Sequence, residues 1–159
     1  MKTFIDDIIT ILKDKQLTLA TCESVTGGMI GSNIVSAAGA SKVYLGGLIT
    51  YSKNTKINLL KIESKIIDNY GTISKETAIV MAKGVKVKFN ADINLAITGN
   101  AGPNPDEDKQ IGLAYLTIIL IDKAYTFELH SEATERNNIR IDLTYQALTK
   151  LLDLLKQVK

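Results

Sequence analysis

Tryptophan is absent from this 159-residue chain, and cysteine, histidine, proline and arginine are nearly so. The single cysteine, Cys22, excludes an internal disulfide and suits a reducing compartment. It falls in a run that reads as a strand, where packing in the core is its expected role. One cysteine and one histidine, His130, cannot assemble a zinc site of ordinary ligand count. A Ser-His-Asp triad would have to use His130, which sits near the end of a predicted strand and apart from any motif. Long apolar runs are lacking too, and none approaches the roughly 20 residues of a bilayer span. The first residues, Met1-Lys2-Thr3-Phe4-Ile5-Asp6-Asp7, carry two acids where an export signal would be basic, so the expected location is cytoplasmic. A net charge of +2 leaves no basic footprint for nucleic acid.

What remains is an ordinary globular composition, 45% hydrophobic, at a length that fits one domain over residues 1–159 with a proper core. Residues 3–14 read as an amphipathic helix with Ile5, Ile8, Ile9 and Leu12 on one face, and Thr3 with Asp6 resembles a capping box. A strand at 17–22, a helix from about Gly27 to Ala37, and a strand from Val43 to Tyr51 follow. The polar stretch 52–56 then leads to short helices around 57–60 and 64–70. Ser74 caps a stronger helix with Ala78, Met81, Ala82, Val85 and Phe89 facing inward. Strands at 93–98, 113–121 and 124–130 surround a loop, Gly99 to Lys109, that holds both prolines. The last helix, 135–157, is periodic at Ile139, Leu143, Ala147, Leu151 and Leu155. Interleaved helices and apolar strands predict a three-layer α/β/α sandwich with a mixed sheet.

The chemistry concentrates where Leu17-Thr-Leu-Ala-Thr-Cys-Glu-Ser-Val-Thr-Gly-Gly28 takes the chain from strand to tight turn to helix. That junction holds Ser24 just before a helix amino terminus, where unpaired N–H groups gather. Three readings are open: a nucleophile with those N–H groups as its oxyanion hole, a phosphate cradle, or a plain helix cap by Ser24 or Thr26. The Gly27-Gly28 pair is neither a Walker A loop nor a complete dinucleotide fingerprint. With histidine unsuited, a nucleophilic serine would need lysine or tyrosine as its partner. The stretch Tyr51-Ser52-Lys53-Asn54-Thr55-Lys56 follows a strand and supplies both. Thr98-Gly99-Asn100-Ala101-Gly102-Pro103 does the same with small residues, so loops 23–28, 51–56 and 98–103 are expected to meet. The two arginines, Arg136 and Arg140, sit four apart near a helix amino terminus. The helix dipole disfavours arginine there, which suggests a guanidinium fork for phosphate or carboxylate as much as a solvated face.

At these residues the chain resembles the carboxy-terminal domain of the competence/damage-inducible protein CinA, the nicotinamide-nucleotide amidase family. Cys22-Glu23-Ser24-Val25-Thr26-Gly27-Gly28 stands where that family has Ala-Glu-Ser-Cys-Thr-Gly-Gly. Gly46-Gly47 through Lys56 matches its Gly-Gly-Val-Val-Thr-Tyr-Ser-Asn-x-x-Lys. Gly71-Thr72-Ile73-Ser74-Lys75 and Thr98 to Pro103 represent two further motifs, and Thr134-Glu135-Arg136 looks like its Gly-Asp-Arg. The resemblance implies hydrolysis of the carboxamide of nicotinamide mononucleotide, a small-molecule nucleotide, to the acid and ammonia. No metal, cofactor, nucleic-acid or membrane partner is implied, and a homo-oligomer is left open. Ser24 would be the nucleophile, with Tyr51 and Lys56 as activating and proton-handling partners. Glu23, Thr26, Gly27, Gly28, Thr98 and Gly99 would lie around the substrate or its oxyanion. Arg136 would hold an anionic part of the substrate, assisted by Arg140. The chain departs from the family at Val25, Cys22 and Asn100. It departs again after Pro103, where Asn104-Pro105 and Lys109-Gln110-Ile111-Gly112 alter the loop expected to shape the pocket. The competing expectation is therefore a nucleotide-binding or interaction protein of the same fold without catalysis.

Overall fold

A computed structural model describes residues 4–158; the Thr3 half of the expected capping box lies outside them. Helix α1 (Phe4–Asp14) buries Ile5, Ile8, Ile9 and Leu12 along one face, as its 3.6-residue spacing requires. The chain then enters β1 (Leu19–Glu23), a strand buried at every position. Two parallel neighbours flank it, β2 (Tyr44–Ile49) and β3 (Ile93–Gly99). Antiparallel β4 (Leu113–Leu120) and β5 (Lys123–His130) complete a five-stranded mixed sheet in the order β2-β1-β3-β4-β5. This is the three-layer α/β/α architecture expected from the sequence.

The two faces of the sheet differ in side-chain size, and strand alternation explains why. Leu19, Ile93, Leu95, Ile97, Leu116 and Ile118 pack beneath α1, α2 (Met29–Val35) and α6 (Arg136–Gln157). The intervening residues Ala20, Cys22 and Ala96 face α3 (Lys53–Leu60), α4 (Ser64–Tyr70) and α5 (Lys75–Phe89). Small strand residues let α5 settle close, and Gly84 extends the fit on its other side, where a Cβ would stand 2.8 Å from that of Leu60.

Three of the boundaries that differ from the sequence reading bear on the site. β2 stops at Ile49, so Tyr51 is outside the strand. The helix expected at 57–60 begins at Lys53, because the Ser52 hydroxyl accepts the Thr55 N–H at 3.1 Å and caps it. Lys56 therefore rides on a helix rather than in a loop. The helix expected from Gly27 begins at Met29, because Gly27 and Gly28 both hold positive φ, +57° and +100°.

Register sets up the site. Glu23 at the end of β1 pairs with Ile49 of β2 and with Ile97 of β3, so β1 and β2 finish level and β3 runs on to Gly99. The segments leaving them open at one sheet edge, the usual place for a site in an α/β fold.

Candidate active site

Ser24 is the first residue past β1, and its N–H donates to the Ile97 carbonyl at 3.1 Å, so the strand ladder fixes its backbone. The turn that follows is organised by Glu23, which is 3% exposed. Its Oε2 accepts the Thr26 hydroxyl at 2.6 Å and the N–H groups of Gly28 and Ile30, each at 3.0 Å. Its Oε1 accepts the Gly31 N–H at 2.9 Å. A carboxylate from the strand thus caps α2, a role the sequence reading gave to Ser24 or Thr26. It also consumes the N–H groups that a phosphate cradle or a helix-end oxyanion hole would need. The Val25 and Thr26 N–H groups have no acceptor among the described residues.

Lys56 reaches Ser24 from the first turn of α3. Its ammonium donates to Ser24 Oγ at 3.0 Å, to the Thr50 carbonyl at 2.6 Å and to the Tyr51 carbonyl at 3.2 Å. The side chain is 1% exposed, and burial lowers its pKa to about 8, offset only in part by the Glu107 carboxylate. Cys22 beneath it goes the other way, pushed up to about 11 by burial, and stays a neutral thiol against the Thr50 hydroxyl. A lysine that loses its proton near neutrality, held against a serine hydroxyl, has the makings of a Ser-Lys dyad.

Ser24 and Val25 open onto a cavity of about 310 Å³. Thr72, Ile73, Tyr51, Arg136 and the segment from Thr98 to Asp106 enclose it. Thr98 turns its hydroxyl to the Thr72 carbonyl at 2.7 Å, tying β3 to the turn ahead of α5. Tyr51 is 62% exposed at the mouth, and its hydroxyl accepts from Arg136 Nη2 at 2.9 Å. The other Arg136 nitrogen, Nη1, donates to the Gly102 carbonyl, so the guanidinium spans two walls of the opening. Arg140, one turn further along α6, lies behind the Ser24 turn instead.

The loop after Pro103 builds the remaining wall. Asn100 accepts the Gly102 N–H at 2.9 Å with its side-chain oxygen, and its amide donates to the Asn104 and Lys109 carbonyls at 3.4 and 3.2 Å. Glu107 then folds back onto the turn before α5, accepting the Thr72 N–H and hydroxyl at 2.8 and 2.6 Å and the Ile73 N–H at 3.0 Å. Burial pushes the Glu107 carboxyl up, but those hydrogen bonds outweigh it and hold the group below its ordinary value. The sequence places Thr72 in a motif and Asp106 and Glu107 in the loop expected to shape the pocket, but singles out none of the three as a site residue. A charged loop carries no periodic signal, and only the fold brings it to the cavity. Among the described residues, no three His, Cys, Asp or Glu side chains come together as a metal site requires. No helix there is long and apolar enough to cross a membrane.

Of the residues expected at the site, Ser24 and Lys56 are in contact. Tyr51, Thr98, Gly99 and Arg136 share the cavity wall with Ser24. Glu23, Thr26, Gly27, Gly28 and Arg140 are not on that wall; they form and brace the turn.

The model of the CinA C-terminal domain matches residues 1–155. The chain belongs to that family. As a CinA C-terminal domain it is 44% identical over 127 residues to Protein MG115 of Mycoplasma genitalium, covering 80% of this chain and 81% of that protein. A putative competence-damage inducible protein of Halothermothrix orenii is 39% identical over 153 residues, 95% of this chain but 37% of the longer relative. Among solved structures, the competence/damage inducible protein CihA of Agrobacterium tumefaciens shares 30% identity. It superposes with a TM-score of 0.89 over 96% of this chain and 93% of that one. A CinA superfamily protein of Klebsiella pneumoniae reaches a TM-score of 0.93 at 22% identity over 97% and 96% of the two chains, a likeness of fold.

Proposed function

We propose that this CinA domain is an amidohydrolase that cleaves the carboxamide of a nicotinamide nucleotide, nicotinamide mononucleotide in the first instance, through Ser24. The observation that carries the reading is the 3.0 Å contact between Ser24 Oγ, which opens onto the cavity, and the buried Lys56 amine behind it. In the neutral amine, the two N–H bonds go to the Thr50 and Tyr51 carbonyls and the lone pair is left for the Ser24 hydroxyl.

Ser24 Oγ attacks the carboxamide carbon as its proton passes to Lys56 Nζ. The carbonyl oxygen becomes an oxyanion. Lys56 returns the proton to the departing nitrogen, the C–N bond breaks, and ammonia leaves an acyl ester on Ser24. Water then attacks the ester with Lys56 again as base, and the acid is released with Ser24 restored. Tyr51 and Arg136 at the mouth receive the rest of the substrate, with the guanidinium facing its anionic portion. The Glu23 carboxylate inside the α2 amino terminus disfavours the competing reading, in which the same turn only cradles a phosphate.

Incubation with nicotinamide mononucleotide should release ammonia and nicotinate mononucleotide in equal amounts. Ser24→Ala should remove turnover by orders of magnitude while nucleotide Kd and melting temperature stay near the parent values. Wild-type turnover in Ser24→Ala, or no release of ammonia by the parent, would overturn the reading.

A further inference from the structure

Two cavities meet at Thr72. The one onto which Ser24 opens, about 310 Å³, stands at the lower end of the roughly 300–1,000 Å³ of small-molecule sites. The other, about 440 Å³, lies between α4 and the loop that follows Pro103, with Lys53, Tyr70, Glu107 and Lys109 on its wall. Thr72 lines both, and it is Thr72 that the Glu107 carboxylate holds.

That hold is shaped from both sides. Glu107 Oε1 accepts the Thr72 N–H at 2.8 Å and the Thr72 hydroxyl at 2.6 Å, and Oε2 accepts the Ile73 N–H at 3.0 Å. Gly71 makes room for the carboxylate, since a Cβ there would collide with Glu107 Oε2. On the loop side, Glu107 and Asp108 hold φ of +51° and +57°, a left-handed backbone that residues other than glycine seldom adopt. Three charge-assisted hydrogen bonds keep the chain in it. Thr72 and Ile73 are on the wall of the site cavity, and so are Asn104, Pro105 and Asp106 just ahead of Glu107. One carboxylate therefore sets the separation of two walls of the site.

We propose that Glu107 is a specificity-determining positioning residue: by tying the loop to the turn ahead of α5 it closes the site cavity toward its neighbour and confines it to a mononucleotide amide. The inference rests on the carboxamide hydrolysis proposed above. A dinucleotide presents the same carboxamide but carries a second nucleotide beyond the phosphate, and the room for it lies on the far side of the tie. Releasing the tie joins the two cavities and admits the longer molecule. Ser24 and Lys56 take no part in the tie, so its release acts on what enters.

The test compares ammonia release from nicotinamide mononucleotide and from nicotinamide adenine dinucleotide by the full chain. It is run at about pH 9, above the Lys56 value of about 8, so that losing the Glu107 charge leaves the amine neutral as before. The parent should favour the mononucleotide. Glu107→Ala removes the carboxylate, and Gly71→Ala evicts it from the other side. In both, the ratio of kcat/KM for the dinucleotide to that for the mononucleotide should rise at least about tenfold, with the gain carried by KM for the dinucleotide rather than by kcat. Calorimetric Kd values for the two nucleotides should shift in the same sense. A ratio within about twofold of the parent's in both variants, equal losses on both nucleotides, a parent that takes the dinucleotide as readily as the mononucleotide, or failure of both variants to fold would overturn the inference. A shift of binding preference without ammonia release from either nucleotide would instead count against the amidase reading and leave the role of Glu107 standing. A parent that neither binds nor hydrolyses either nucleotide would remove both.

Discussion

Lys56→Met makes the burial of the lysine measurable. Folded Lys56 titrates at about 8 and an unfolded lysine at 10.5. Below pH 8 both states carry the proton, and the native state bears the whole cost of the buried charge, about 3 kcal/mol at about 1.4 kcal/mol per pH unit. Between the two values the unfolded chain holds the proton and the native chain does not, so stability rises with pH; above 10.5 the contribution is constant. From pH 7 to pH 10 the parent should therefore gain about 2.5 kcal/mol from this group alone. Methionine fills similar space without the charge, but it leaves the Thr50 and Tyr51 carbonyls without their donor, a loss of about 1–3 kcal/mol. The two effects nearly cancel at pH 7, where the variant should match or slightly exceed the parent. By pH 10 the parent should be the more stable by about 2 kcal/mol. Urea unfolding of both proteins at half-unit pH intervals reads the difference, in which all other titrations cancel. Parallel curves would refute the reasoning, because Lys56 would then keep an ordinary pKa and could not serve as base near neutrality.

The same titration should appear in catalysis as kcat/KM rising with pH through an apparent pKa of about 8, with no such step in reactions that bypass the lysine. Glu23→Ala should destabilise the fold by about 2–4 kcal/mol in urea unfolding, since three α2 N–H groups and the Thr26 hydroxyl lose their acceptor together; a change under about 0.5 kcal/mol would mean that water replaces the carboxylate without cost. Arg136→Ala should raise KM for the phosphorylated substrate about tenfold or more and raise it little for the nucleoside amide, as a charge-assisted contact of about 1.5–3 kcal/mol requires its anion. Equal losses on both substrates would assign Arg136 to bracing the mouth.

The elements legible in the sequence are those governed by local period and caps. The α6 face was readable because Ile139, Leu143, Ala147, Leu151 and Leu155 recur at helical spacing, and all five are buried. Ser24 stood out because a strand ends in two glycines just ahead of a helix. The polar run 52–56 suggests a loop for Lys56 although the Ser52 cap is there to be read, and the hydroxyl the lysine meets, that of Ser24, lies 32 residues away in sequence. Glu23 was read as a substrate contact from its neighbours in the motif. Its partners are N–H groups, which no side-chain pattern reveals, though a carboxylate at the end of an apolar strand facing a helix start is the signal to look for.

The wall formed by residues 101–111 is stapled at its root. The Asn100 N–H donates to the Leu113 carbonyl at 2.9 Å, and the Gly112 N–H donates to the Asn100 carbonyl at 2.7 Å, so the β3–β4 ladder closes before the loop begins. Nothing in that root touches Ser24 or Lys56. The chain between the staples can therefore change in length and shape with the Ser24–Lys56 contact kept, and the charge it carries at Glu107 tunes that contact from a distance. In the reaction proposed above, this build keeps the groups that act on the amide apart from the wall that meets the rest of the substrate, and the wall is open to rewriting by grafting one segment.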